Sequence, residues 1–246
     1  MGKYLKYFNN ISEYNTFKTD DNYILPNVSS IQTGEIFYEQ ALVYKTVDLG
    51  LPSGILWADR NIGATSPEDG GLLFQWSDIT GYTVEQVGVD KNFYWDDYVN
   101  DSSPWGPQYV KYGEGTKMIL DIEDDAARAN MGDQWRMPTH AELKELTDNT
   151  TAIYIDLDGN EIQGTVTKAK GVKLVSNING NSIFLPMCGY AEKSKMSYVN
   201  SYGNYWSSEL SNSKSAYCTV IMTNRITSDS YLFRSNGQSV RGVCQR

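Results

Sequence analysis

The side chains of this chain that could carry out acid–base or thiol chemistry are few and widely spaced. His140 is the only histidine, and no nucleophile or orienting acid can be paired with it from the sequence. It falls within a helix-start signal, so we expect an ordinary residue on the surface of a helix. Cys188, Cys218 and Cys244 match no zinc-ligand spacing. Their apolar surroundings predict buried, reduced thiols, with a Cys218–Cys244 disulfide as the alternative.

Two acidic stretches could bind a cation. The run Glu123-Asp124-Asp125 fits better as solvated acids in the first turn of a helix, where carboxylates favour the helix dipole. The stretch 156–160 begins like a calcium-binding loop, but Thr165 stands where that pattern needs a glutamate. We expect no metal, no cofactor and no enzymatic activity.

Composition narrows the classes of partner. The net charge is −9, and lysine and arginine are scattered, so we expect no nucleic-acid partner. No apolar run approaches the roughly 18 residues of a membrane helix, so we expect no membrane insertion. The chain has 18 tyrosines and 6 tryptophans against 7 phenylalanines. That bias is typical of binding surfaces, although tyrosine also suits β-strands.

The predicted secondary structure changes along the chain, from loops to helices and then to strands. Residues 78–117 predict long, ordered loops held by Trp95 and Trp105. A helix is predicted over 122–131, and a second begins at the capping box of Thr139. A hairpin over 152–166 and several further strands follow. This order predicts an α+β fold without βαβ units.

Two parts of the chain differ in size and pattern. Residues 1–43 contain short strand-like runs that are too few to bury a core of their own, which predicts a small N-terminal attachment segment. Residues 44–246 form the main domain.

Five sequence segments of the main domain carry a family resemblance: VDLGLPSGILWA at 47–58, DAARANMGDQWRMPTHAELKEL at 125–146, GNSIFLPMCGY at 180–190, GNYWSSE at 203–209 and GQSVRGV at 237–243. In this order they resemble the Fibrobacter succinogenes major paralogous domain family over 44–246. The resemblance implies a C-type-lectin-like fold, with two helices packed on antiparallel sheets and long loops. Gly242 and Thr219 depart from the family pattern, which has proline and often an apolar residue there. Trp135, Arg136, Trp206 and Arg241 are expected to be scaffold, with Arg241 binding a carboxylate or carbonyls.

The N-terminal segment resembles leader segments on virion proteins from phages of gut Bacteroidetes. The resemblance implies that the protein lies on the virion surface and that residues 1–43 bind other virion subunits. It also implies that the protein forms a homo-oligomer, such as a trimer. A bacterial cell surface or secretion is the alternative.

The same scaffold carries the variable proteins of diversity-generating retroelements, whose diversified residues are rich in Asn, Ser, Tyr and Asp. Residues 202–236 are crowded with these types, although the whole family is rich in them. The resemblance therefore implies a binding protein that recognises a host cell-surface glycan or protein. The alternatives are a structural virion decoration or fibre subunit, and an oxidase of the formylglycine-generating type. We expect ligand-binding residues at Tyr202, Tyr217, Asn224, Arg225, Thr227, Asp229, Tyr231, Phe233 and Arg234.

Overall fold

The structure is a computed structural model that describes residues 44–99 and 110–246 in full, with the backbone of three short strands before them. Those strands are β1 (Tyr4–Phe8), β2 (Tyr23–Ile24) and β3 (Ile36–Leu42), and they form an antiparallel sheet with β3 in the centre. The side chains of this sheet and residue Trp105 lie outside the described residues.

Twelve strands form four antiparallel sheets in the described part of the main domain. They are β4 (Thr46–Val47), β5 (Leu56–Ala58), β6 (Trp135–Arg136), β7 (Thr150–Ile155), β8 (Gly171–Ser176), β9 (Ser182–Pro186), β10 (Tyr190–Glu192), β11 (Lys195–Ser197), β12 (Tyr202–Asn212), β13 (Ser215–Met222), β14 (Arg225–Phe233) and β15 (Val243–Cys244). The strand orders are β4-β5-β15-β6, β7-β8-β9, β10-β11 and β12-β13-β14. The predicted α+β class is confirmed, with strands in the majority.

Within residues 44–99 and 112–246, three short α-helices accompany these sheets: α1 (Trp95–Val99), α2 (Ala126–Met131) and α3 (His140–Asp148). The prediction of one helix over 122–131 is wrong, because residues 122–124 form a separate 3-10 turn. Asp125 lies between the 3-10 turn and α2 and caps α2, because its carboxylate accepts the N–H groups of Ala127 and Arg128. The same carboxylate accepts the N–H of Met137 at 2.8 Å.

The start of α3 is confirmed in detail. The Thr139 hydroxyl accepts the Glu142 N–H and the Glu142 carboxylate accepts the Thr139 N–H, so both partners of the capping box are in place. Arg136 donates to both oxygens of Glu142 at 2.7 and 2.5 Å. This bidentate pair ties the start of α3 to β6, since the fork of arginine matches a carboxylate.

The two ends of the main domain meet in one sheet. β15 lies between β5 and β6. Just before it, Arg241 is buried and donates to the carbonyls of Ala58 and Phe184 at 3.0 and 2.7 Å. This confirms Arg241 as a buried partner of carbonyls. A Cβ at Gly242 would lie 2.6 Å from the sulfur of Met131 and 3.3 Å from the ring of Trp135, so a larger residue here would require the Met131 side chain to move.

The β12-β13-β14 sheet separates two hydrophobic clusters. Trp206 and Cys218 pack on one face, and Tyr205 and Ile221 pack on the other. On the second face the Thr219 hydroxyl bonds to Ser228 at 2.9 Å, and Ser228 donates to the carbonyl of Leu143 in α3 at 3.0 Å. These hydroxyls satisfy one another against the helix, which accounts for a polar residue at position 219.

The predicted hairpin over 152–166 is wrong beyond its turn. β7 pairs along its whole length with β8. Only Glu161 and Ile162 return to β7, through a bridge to Ile155 and a hydrogen bond to Tyr154.

All three cysteines are free, so the Cys218–Cys244 disulfide does not form in this structure. Cys218 and Cys244 are buried and Cys188 is half-buried. Burial raises the pKa of each thiol. Among the described residues, no helix has the length and apolar character needed to cross a membrane.

Candidate binding surface

Four of the predicted site residues come together on the outward part of the β13–β14 ribbon. Tyr217 lies directly opposite Tyr231, and Phe233 lies two residues further along β14 on the same face. Tyr231 and Phe233 are 57% and 56% exposed, and the Asp229 side chain is 67% exposed. We call Tyr217, Asp229, Tyr231 and Phe233, together with His140, the aromatic strip.

His140 belongs to this strip, which its sequence context did not reveal. Its ring stacks on the ring of Tyr217, with centroids 3.9 Å apart and planes within 1°. Its Nε2 lies 3.3 Å from Oδ1 of Asp229. His140 is the first residue of α3, as predicted, but it contributes to a surface built by three elements. A lone histidine at a helix start gave no signal of this, because its partners are more than 70 positions away.

The far end of the strip contacts the loops that the sequence singled out. The ring of Trp95 in α1 lies 6.0 Å from the ring of Phe233, at an angle of 57°. It also lies 6.0 Å from the ring of Tyr98. Trp95 therefore helps to hold its part of residues 78–117 beside the strip.

Two carboxylates and an ammonium lie near the His140 end of the strip. Asp229 is joined by Glu209, whose carboxylate accepts the backbone N–H of His140 at 3.4 Å. Lys144 is the nearby cation; a hydrogen bond to Asp148, and then the field of Asp229, raise its pKa. The surface thus combines aromatic rings with hydrogen-bond acceptors, an arrangement suited to hydroxyl or amide ligands.

Arg234 is a correction to the predicted site, because it is fully buried. Its guanidinium donates to the carbonyls of Tyr112 and Ser213 and to the hydroxyl of Tyr98. It also lies 4.9 Å above the ring of Trp76. Arg234 follows the exposed Phe233, and strand alternation turns it inward, where it joins the loops to the core.

The β13–β14 turn places three other predicted residues away from the strip. Asn224 and Arg225 are exposed at the turn and line a groove beside β7. Thr227 is half-buried, and its hydroxyl accepts the N–H of Asp229 at 3.3 Å. Thr227 therefore contacts the backbone of Asp229 and does not itself face the strip.

Tyr202 lies in a separate stack of tyrosines. Its ring is 4.6 Å from that of Tyr198, which in turn is 5.8 Å from that of Tyr190. Tyr198 is 56% exposed and has a left-handed backbone, with φ at +58°. Asn204, another residue of the crowded segment 202–236, is buried and does not face solvent. The segment is thus divided among several surfaces and the core.

The prediction of solvated acids over 123–125 holds for Glu123, which is exposed, and is wrong for Asp124 and Asp125, which are buried. Asp121, Glu123 and Asp124 bring their carboxylates together, but the Lys111 ammonium binds all three, at 2.9, 3.0 and 2.6 Å. Asp124 also accepts the hydroxyl of Tyr112. The Lys111 ammonium therefore occupies the space between these three carboxylates.

Comparisons of this chain with protein families, with curated proteins and with solved structures found no match.

Proposed function

We propose that this protein is a non-enzymatic binding protein that recognises a glycan or protein on a host cell through the aromatic strip. The proposal rests on the exposed rings of Tyr231 and Phe233. They lie beside Tyr217, whose ring is fixed by stacking on the ring of His140. Immobilised aromatic rings bury much area at little cost in rotamer freedom, and neighbouring carboxylates add directional hydrogen bonds.

The architecture supports a C-type-lectin-like assignment for residues 44–246. The first and last strands of the domain, β4 and β15, pair on either side of β5 in one sheet, and a separate three-stranded sheet carries the strip. Helix α3 packs on that sheet. These features agree with the family resemblance of the sequence.

Residues 1–43 are the attachment segment of the proposal. They would join the protein to other subunits of a virion, where several copies on one particle multiply weak individual contacts. A homo-oligomer on the virion surface fits this role.

The thiols support a role without thiol chemistry. Burial holds the pKa values of Cys218 and Cys244 above the ordinary range, which disfavours the thiolate that would act as a nucleophile or metal ligand. The three cysteines are also unpaired. An oxidase of the formylglycine-generating type is the less favoured alternative.

Binding of the purified full chain to a panel of intact gut Bacteroidetes cells tests the proposal. The test variant carries Tyr231→Ser and Phe233→Ser, and Arg234 stays in place because it is part of the core. Two central aromatic contacts are worth at least about 2 kcal/mol, so cell binding should weaken more than about tenfold.

The matched control carries Leu157→Ser and Ile178→Ser, which alter two apolar residues of similar exposure away from the strip. The control should bind cells as the unaltered chain does. Equal binding by the test variant would rule out the strip as the contact surface. No binding by any form to any cell of the panel would favour a structural virion decoration.

A further inference from the structure

A second surface feature lies at the free edge of β7, which is an outer strand of the β7-β8-β9 sheet. Glu161 and Ile162 pair with only one end of this edge, where the Ile162 N–H donates to the carbonyl of Tyr154 at 2.9 Å. The chain then turns at Gly164, which has a φ of +100°. Within the described residues, the rest of this edge of β7 has no partner strand.

The hydrogen bonds at the paired end show which peptide groups face this edge. The carbonyl of Ile155 accepts the Lys170 N–H at 2.8 Å and so points towards β8. The carbonyl of Tyr154 points the opposite way, to Ile162. Because alternate residues of a strand direct their N–H and C=O groups to the same side, Ala152 directs both groups to the free edge.

Two adjoining compartments of a groove lie beside this edge, and the second extends over the face of the sheet to Leu174. One compartment, with a volume of about 580 Å³, is lined by Ala152, Tyr154, Asn224 and residues 161–166, among others. A second, of about 270 Å³, shares Ala152, Tyr154 and Asn224 and adds Arg225. Ala152 contributes only a methyl group, which leaves its peptide group accessible from the groove.

The groove carries opposite charges at its two ends. Glu161 lies beside Ile155, and Arg225 lies near Thr150, which begins β7. Both charged side chains are exposed, and neither forms an ion pair with another described residue.

We propose that this groove binds an extended peptide segment of another protein by adding it as a strand to β7. The unpaired groups are a backbone donor and acceptor at the spacing of a strand, which a peptide satisfies with its own backbone. An antiparallel segment would begin next to the Glu161–Ile162 pairing and run past Ala152 towards Thr150. It would place a basic side chain early in its sequence, near Glu161, and an acidic side chain late, near Arg225.

Selection from a displayed library of random hexapeptides on the immobilised full chain tests this proposal. The expected peptides have a basic residue near the N-terminus and an acidic residue near the C-terminus.

One selected peptide is then synthesised, and its Kd is measured by calorimetry for the unaltered chain, for Ala152→Pro and for Arg225→Glu. Ala152→Pro removes the edge donor but no hydrogen bond to β8, so the Kd should rise at least about tenfold. Arg225→Glu should weaken binding of the acidic peptide, and a peptide with lysine in place of the acid should recover it.

Ala152→Ser is the matched control, since it keeps the N–H group and should leave the Kd unchanged. A readout that needs no altered protein is methylation of the peptide's own amide nitrogens, one at a time. Strand addition predicts that alternate methyl groups abolish binding and the intervening ones do not. Failure to enrich any peptide would overturn the proposal. A selected peptide whose Kd is changed neither by Ala152→Pro nor by methylation of any amide would also overturn it. The Tyr231→Ser, Phe233→Ser variant should bind the peptide normally, which separates this site from the aromatic strip.

Discussion

The two arginines at the ends of β14 lie in opposite environments. Arg225 begins the strand in solvent, and Arg234 follows its last residue in the core. The buried guanidinium has three oxygen acceptors and an aromatic ring beneath it. One arginine is therefore exposed to solvent and the other joins the loops to the core, only nine positions apart.

Arg234→Ala should destabilise the fold by about 3 kcal/mol or more, because it leaves the carbonyls of Tyr112 and Ser213 buried without this donor. Arg225→Ala should change the free energy of unfolding by less than about 0.5 kcal/mol, as is usual for an exposed site. Urea unfolding followed by tryptophan fluorescence measures both. Equal effects of the two substitutions would contradict the buried position of Arg234.

Asp78 is a buried acid whose charge opposes folding. Its Oδ1 accepts the N–H of Thr80 at 2.7 Å, whereas its buried Oδ2 has no hydrogen-bond partner among the described residues. Burial raises the pKa of this carboxyl to about 7, against the weaker opposing effects of Thr80 and Lys91.

The pH dependence of stability follows from that shift. The unfolded chain releases the Asp78 proton near pH 4 and the folded chain near pH 7, so this residue destabilises the fold progressively across that window and constantly above it. Asp78→Asn should therefore gain stability relative to the unaltered chain between pH 4 and 7, by as much as about 4 kcal/mol. Urea unfolding at pH 4, 5.5, 7 and 8.5 measures the difference. A difference that is the same at all four values would show that Asp78 is ionised in the folded protein throughout.

At the scale of elements, the sequence predicted correctly the helix start that depends on contacts between residues close in sequence. The capping box placed the start of α3 correctly, because its two hydrogen bonds join residues three positions apart. The break before α2 was missed, since the Asp125 carboxylate also accepts the N–H of Met137, which lies 12 positions away, just after β6. The hairpin over 152–166 failed for a similar reason, because β8 pairs with β7 along its whole length. Partners that are distant in sequence leave no periodic signal.

The candidate site shows the same division. Alternation along β14 places Tyr231 and Phe233, which were both predicted as site residues, on one face. It could not predict that the loops near Tyr98 and Tyr112 cover the next residue, Arg234. Nor could it bring His140 to Tyr217, since that contact depends on how α3 packs across the sheet.

At the scale of the whole molecule, the main domain is closed by its own first and last strands. Tyr44 takes part in this closure: its ring lies edge-on, 6.2 Å from that of Trp135, and its hydroxyl accepts the N–H of Gly63 at 2.8 Å. β4 follows directly and pairs with β5, which pairs with β15. The predicted boundary between residues 43 and 44 therefore lies immediately before a described residue that takes part in the closure.

A fragment of residues 44–246 should thus fold without the attachment segment. We expect its circular dichroism melting temperature to lie within a few degrees of that of the full chain, and its cell binding through the aromatic strip to persist for the single copy. A fragment that begins at Leu49 loses both Tyr44 and β4, so β5 would lose its outer partner strand and Trp135 its aromatic neighbour. That shorter fragment should melt well below the first one. If the fragment of residues 44–246 were unfolded, residues 1–43 would have to belong to the folding unit, and the division into an attachment segment and an independent binding domain would be wrong.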